Sequence, residues 1–172
     1  DMNDGSQVYD TVVVGAGPAG LTAAIALAAS GANTALLARR VPYADNRTTA
    51  LLGESISLLE RLGVWRRCSD KSAALHTMRL VDDTGRLIRA PEVRFESGEI
   101  GLEQFGFNID NRSLITALEE RAAELSGLTR IDDDAASIEP DDASVGVRTA
   151  SGQLLAARLV IGADGRHSLC RE

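Results

Sequence analysis

Of all parts of the chain, Val8 to Ala38 restricts the fold most. Val8, Val12, Val13 and Val14 form a β-branched run that reads as a buried strand and stops at Gly15. Pro18 to Ser30 reads as a helix, apolar almost all round, as for a helix laid on a sheet, with Gly31 as its stop. Asn33 to Ala38 returns as a second apolar strand. Strand, helix and strand within about thirty residues make a crossover unit, and the two strands of such a unit lie parallel.

The first turn of this unit is Gly15-Ala16-Gly17-Pro18-Ala19-Gly20, a G-x-G-x-x-G pattern set between a strand and a helix. In that setting Gly15 permits the tight turn, Gly17 lets a pyrophosphate approach the backbone, and Gly20 allows close packing of helix on strand. The helix start then offers N–H groups and a positive dipole end to the phosphates. A glycine-rich turn with no ligand is the plain alternative. A dinucleotide site usually has an acid at the end of the second strand to accept ribose hydroxyls. Here that place holds Ala38, followed by Arg39 and Arg40. The two arginines could meet a 2′-phosphate, which keeps an NADP site open at this point, or they could belong to a solvated loop.

Beyond this unit a loop runs from Arg39 to Arg47, with Pro42, Asp45 and Asn46 as turn formers. Ile56, Leu59 and Leu62 recur at helical spacing over Glu54 to Leu62, and Gly63 closes that helix. From His76 to Glu96 the pattern turns to β: Met78 and Leu80, a turn at Asp82 to Gly85, then Leu87 and Ile88, an antiparallel hairpin outside the parallel sheet. Asn111 to Ser126 is a long amphipathic helix with Leu114, Leu118, Ala122 and Leu125 on one face. Strands follow over Thr129 to Ile138, Val145 to Thr149 and Leu154 to Ile161, the last two joined at Ser151-Gly152. The final strand runs into Gly162-Ala163-Asp164-Gly165, and Ser168 is placed to cap a helix for which few residues remain. The chain is therefore read as stopping inside an element. Asp1 precedes Met2, so the natural start is read at Met2.

Composition removes several function classes. With 172 residues and 44 % hydrophobic content, the chain has enough apolar surface for a core. A net charge of −7 without a basic run argues against nucleic acid. Cys68 and Cys170 are too few for a disulfide framework or a zinc cluster, and no metal site is expected. The early apolar run Leu21 to Ala29 is far short of the roughly 20 residues that span a bilayer, and no charged segment of the signal-peptide kind precedes it.

Five segments occur in a fixed order: the glycine turn; Asp45-Asn46-Arg47-Thr48-Thr49-Ala50-Leu51; Glu60-Arg61-Leu62-Gly63-Val64-Trp65; Phe107 to Leu114; and Gly162-Ala163-Asp164-Gly165-Arg166-His167-Ser168. Together they resemble the UbiH/COQ6 family of ubiquinone-biosynthesis hydroxylases, within the class A flavoprotein monooxygenases. The resemblance covers nearly the whole chain. It implies an α/β, doubly wound Rossmann-like FAD-binding domain of the GR2 type, with a parallel sheet and a β excursion, ending before its C-terminal half. Residues 1–75 and 105–172 would form the incomplete FAD-binding domain, and 76–104 a hairpin on the substrate-domain side. For the full-length protein it implies an FAD-dependent monooxygenase. NADH or NADPH would reduce FAD, and dioxygen would hydroxylate a polyprenyl phenol or quinone precursor. This chain alone would be inactive. The family setting implies a cytoplasmic protein, with peripheral association at the inner membrane following from lipophilic substrates. A different class A flavoenzyme such as a halogenase or reductase, an NADP-binding reductase domain, and a non-catalytic flavin-binding module are the alternatives.

The resemblance also assigns residues. Gly15, Gly17, Pro18, Ala19 and Gly20 would hold the FAD pyrophosphate, with Arg39 beyond the second strand. Arg47 would lie along the cofactor, Arg112 would contact it from the start of the long helix, and Asp164 and Gly165 belong to a turn associated with both FAD and nicotinamide cofactors. Ala38 departs from the acid common in such flavoproteins. No protein acid, base or nucleophile is assigned, because the cofactor carries the chemistry. Taken without the resemblance, Arg47 is a loop cation, Arg112 a first-turn partner of Asp110, and Asp164 a turn former. His76 reads as structural, His167 as a weak site candidate, and Trp65 as core filling.

Overall fold

The computed structural model describes residues 7–40, 42, 46–85, 87–165 and 168–171. Met2, Asp45, Arg166 and His167, each given a place in the reading above, lie outside the described residues.

The expected crossover unit is present as β1 (Gln7–Val14), α1 (Pro18–Ala29) and β2 (Thr34–Leu37). β1 and β2 run parallel, Val12 beside Ala35 and Val14 beside Leu37. The valine run suits a strand covered on both sides, since Val12 and Val14 enter one hydrophobic cluster and Val13 the other. Leu21, Ala24 and Ile25 of α1 are fully buried.

The remaining elements are β3 (Thr48–Leu52), α2 (Gly53–Arg61), β4 (Ser72–Leu75), β5 (Thr77–Leu80), β6 (Val93–Glu96), β7 (Gly106–Asp110), α3 (Asn111–Glu124), β8 (Leu128–Ile131), β9 (Ala135–Pro140), β10 (Val145–Thr149) and β11 (Leu154–Gly162). The main sheet has the order β8-β2-β1-β11-β10-β9. Its first four strands are parallel and its last two antiparallel, so the sheet is mixed. Residues of α1, α2 and α3 enter the cluster on one face, whereas the second cluster is drawn from strands. The doubly wound expectation is corrected to this extent: the strands from β9 to β11 are joined by tight turns, which need no crossover helix to cover the other face.

Two strand expectations are also corrected. The strand read through Thr129 to Ile138 divides into β8 and β9 at Asp132 to Asp134. The buried Asp133 carboxylate accepts from the backbone N–H groups of Asp134 at 2.8 Å and Ser151 at 3.1 Å, which ties this corner to the turn between β10 and β11. In the excursion β5 is as expected, but its partner is β6 rather than Leu87-Ile88. Asp82 accepts from the N–H groups of Thr84 and Ala90, holding a wide loop in place of a tight turn, and Leu87 and Ile88 stand exposed on it. A second sheet, β3-β7-β4, was not anticipated. Its central strand β7 feeds directly into α3, whose N-terminus is capped by Asp110.

Candidate functional site

The glycine turn is built as its spacing requires. Gly15 has φ +106°, a left-handed conformation that disfavours any side chain, and a Cβ there would strike the backbone of Ala163 and Asp164. A Cβ on Gly20 would fall on the carbonyl oxygen of Gly15, so α1 crosses the turn at a distance only glycine permits. Gly17 differs from both, with open space where its Cβ would be. It caps α1 without a side-chain hydrogen bond, Pro18 opens the helix, and the first turn carries no acid. The positive end of α1 therefore points into an open cradle with no carboxylate of its own to neutralise it.

The second glycine turn comes from the far end of the chain and lies against the first. β11 pairs with β1 along its length, and the Ala163 N–H donates to the Val14 carbonyl at 2.7 Å. Gly162, Ala163, Asp164 and Gly165 line a cavity of about 420 Å³ with Ala19 of α1. The Asp164 carboxylate accepts from the Ser168 hydroxyl, and from the Leu169 N–H at 3.0 Å, while Ser168 accepts from the Cys170 N–H. The expected capping role of Ser168 is thus met on a short 3-10 turn, Leu169–Arg171.

Arg47 and Arg112 meet at a third point. Thr48 pairs with Asp110 between β3 and β7, and the Asn111 N–H donates to the Arg47 carbonyl at 3.0 Å. This sets Arg47 beside the first turn of α3, where Arg112 stands exposed. The Thr49 hydroxyl donates to the Asn111 side chain and fixes the junction. Asp110, the plain partner suggested for Arg112, receives the Ser113 hydroxyl at 2.6 Å and N–H at 2.8 Å. Those bonds, the hydroxyl first, hold its carboxyl below the usual carboxylate range. Thr49 and Leu114, two residues beyond the arginines, line a largely apolar pocket of about 410 Å³ with Pro18, Ala19 and Thr22.

Arg39 lies elsewhere, past the end of β2. Its guanidinium donates to Asp134 and, at 3.5 Å, to Asp133, and the Asp134 bond raises its pKa further above the ordinary value. Next to it the Arg40 N–H donates to Asp132 at 2.6 Å. Sequence reading missed this acidic corner. Three consecutive aspartates signalled it, but the spacing does not reveal that β8 lies beside β2. His76 donates from Nδ1 to the Glu103 carbonyl at 3.0 Å, and Trp65 packs on Phe107 with ring centres 5.6 Å apart. Among the described residues no cluster of side chains suits a metal ion, and no helix is long and apolar enough to cross a membrane.

Comparison with known proteins identifies the family. Residues 8–172 match the model of the FAD binding domain family. The ubiquinone hydroxylase UbiL of Rhodospirillum rubrum is 30% identical over 96% of this chain and 39% of its own length. For UbiM of Neisseria meningitidis serogroup C the identity is 30% over 94% and 37%. The chain thus spans well under half of these relatives. The flavin-dependent monooxygenase PieE, solved in complex with FAD and substrate, shares the fold with a TM-score of 0.76 and 22% identity, covering 95% of this chain and 31% of PieE. The resemblance carried by the ordered motifs is borne out, and the chain belongs to the FAD binding domain family of flavoproteins.

Proposed function

We propose that this chain is the FAD-holding part of an NAD(P)H-dependent aromatic monooxygenase that hydroxylates a polyprenyl phenol or quinone precursor. The convergence of two glycine turns at the start of α1, where the N-cap Gly17 brings no side-chain hydrogen bond, carries the reading. The residues fit a dinucleotide: Gly17 leaves room for a pyrophosphate, and the N-terminal N–H groups of α1 can donate to it. Pro18, Ala19 and Gly20 shape that approach, Gly15 holds the turn, and Arg47 and Arg112 add positive charge along the cofactor. Asp164 and Gly165 line the same opening as Ala19. When bound, FAD supplies electron transfer from the nicotinamide donor and activation of dioxygen.

Residues 1–75 and 105–172 are assigned to the cofactor side and 76–104 to the substrate side. In the β5–β6 hairpin the cross-strand pairs Met78–Phe95 and Leu80–Val93 put four apolar side chains on one face, all at least 37% exposed. Such a face is suited to an apolar partner layer or a lipophilic substrate. The names of two relatives, both ubiquinone hydroxylases, support that substrate class. A reductase that grips an NADP 2′-phosphate with Arg39 is disfavoured, since Asp133 and Asp134 already occupy that guanidinium and would repel a phosphate.

The test is turnover of the full-length, FAD-loaded protein with NAD(P)H and a polyprenyl phenol under ¹⁸O₂. Phenol-stimulated NAD(P)H oxidation with one labelled oxygen in the product is expected. Oxidation unaffected by phenols, with no labelled product, would overturn the reading.

A further inference from the structure

The end of β2 lacks the carboxylate that ordinarily receives the adenosine ribose, because Ala38 stands there and a methyl group accepts nothing. The neighbouring strand supplies one. β8 runs parallel to β2 with Leu37 beside Ile131, and the Ala38 N–H donates to the Ile131 carbonyl at 3.1 Å. The next pair in this register is Ala38 and Asp132. Leu37 and Ile131 pack into the same cluster, so the residues after them turn together to the opposite face. Asp132 is exposed, and its Oδ1 accepts from the Arg40 N–H at 2.6 Å. Its carboxylate is therefore drawn across to the end of β2, two residues past Ala38.

The other two acids of this corner are engaged. Asp133 is buried and turned to Ser151, and Asp134 takes the Arg39 guanidinium. We propose that Asp132 makes the adenosine-ribose contact in place of the acid missing from β2, one oxygen held by the Arg40 N–H and the other accepting from the 2′-hydroxyl. This rests on the FAD reading above. The bond to Arg40 fixes the carboxylate before the cofactor arrives, so little ordering cost remains on binding.

The test uses the full-length protein freed of flavin and titrated with FAD and with an FAD analogue carrying 2′-deoxyadenosine. The parent is expected to prefer FAD over the analogue by about 10- to 150-fold, the value of one charge-assisted hydrogen bond. Asp132→Ala should bind FAD as weakly as the parent binds the analogue, and should no longer tell the two apart. Adding Ala38→Glu to that variant should restore the preference, which a merely structural role for Asp132 would not produce. Asp132→Asn, which keeps an oxygen for the Arg40 N–H, guards against loss of fold and should also lose most of the discrimination. If Asp132→Ala and Asp132→Asn both discriminate as the parent does, the proposal is wrong. A parent that binds no FAD would overturn the underlying reading, and this inference with it.

Discussion

Gly17 and Gly20 are three residues apart in one turn, yet substitution by alanine should separate stability from cofactor binding. At Gly20 an added Cβ would meet the Gly15 carbonyl oxygen, with the Ala163 Cβ 3.2 Å away. Alanine gains about 1 kcal/mol of helix propensity over glycine. Overpacking against backbone costs about 1–3 kcal/mol and lies at the upper end when neither segment can yield. Both segments here are sheet ends, so a net loss of about 2 kcal/mol is expected. That lowers melting by several degrees, at about 2–4 °C per kcal/mol for a domain of this size. At Gly17 the backbone is φ −72° and ψ −179°, which any residue adopts, and nothing lies within 4 Å of the new Cβ. The modest loss of N-cap quality is offset by about 0.4–1 kcal/mol from restricting the unfolded chain. Gly17→Ala should therefore melt like the parent. Its methyl group occupies the space a pyrophosphate needs, and losing one charge-assisted bond weakens FAD binding by roughly 10- to 150-fold. Melting of the apo full-length protein and FAD titration by fluorescence decide the matter. A Gly17→Ala variant that holds FAD as tightly as the parent would refute the placement of the pyrophosphate.

Arg47→Ala should weaken FAD binding by about 10- to 150-fold, with melting changed by about 0.5 kcal/mol or less, read by flavin fluorescence recovery on dilution. Asp133 is held below the usual carboxylate range, first by the Ser151 hydroxyl, then by Thr149 and the Asp134 N–H. A depressed folded pKa gives stability that is full above the unfolded value of about 3.9 and is lost as pH falls through the folded one. Asp133→Asn should therefore melt lower than the parent at pH 6, and the gap should narrow steadily below about pH 4. Cys68 is buried, and burial pushes its thiol pKa up, so at neutral pH it should react with a disulfide reagent only after unfolding, as a thiol count with and without denaturant will show.

The parallel core was legible because it is local: the valines of β1, the glycine turn and the apolar α1 sit within one short stretch whose period and breakers fix each element. α3 was legible for the same reason, through Leu114, Leu118 and Ala122 at helical spacing. The small sheet of β3, β7 and β4 was not. Its strands are short, and each is recruited by long-range pairing such as Thr49 with Ile109. Leu87 and Ile88 misled for a related reason. An apolar pair after a turn imitates a returning strand, whereas the two hydrogen bonds to Asp82 carry the chain on to Val93. Of the candidate site, the sequence showed which residues belong together by motif but not their distances. Asp132 was invisible as a ribose partner because the neighbour of β2 follows from topology and not from spacing.

The central claim is that the two glycine turns and the start of α1 form an FAD site. Calorimetric titration of the full-length apoprotein with FAD and with NADP tests it most directly. Binding of FAD with one site per chain, and tighter than NADP, is the expected result. Tighter binding of NADP than of FAD would contradict the account.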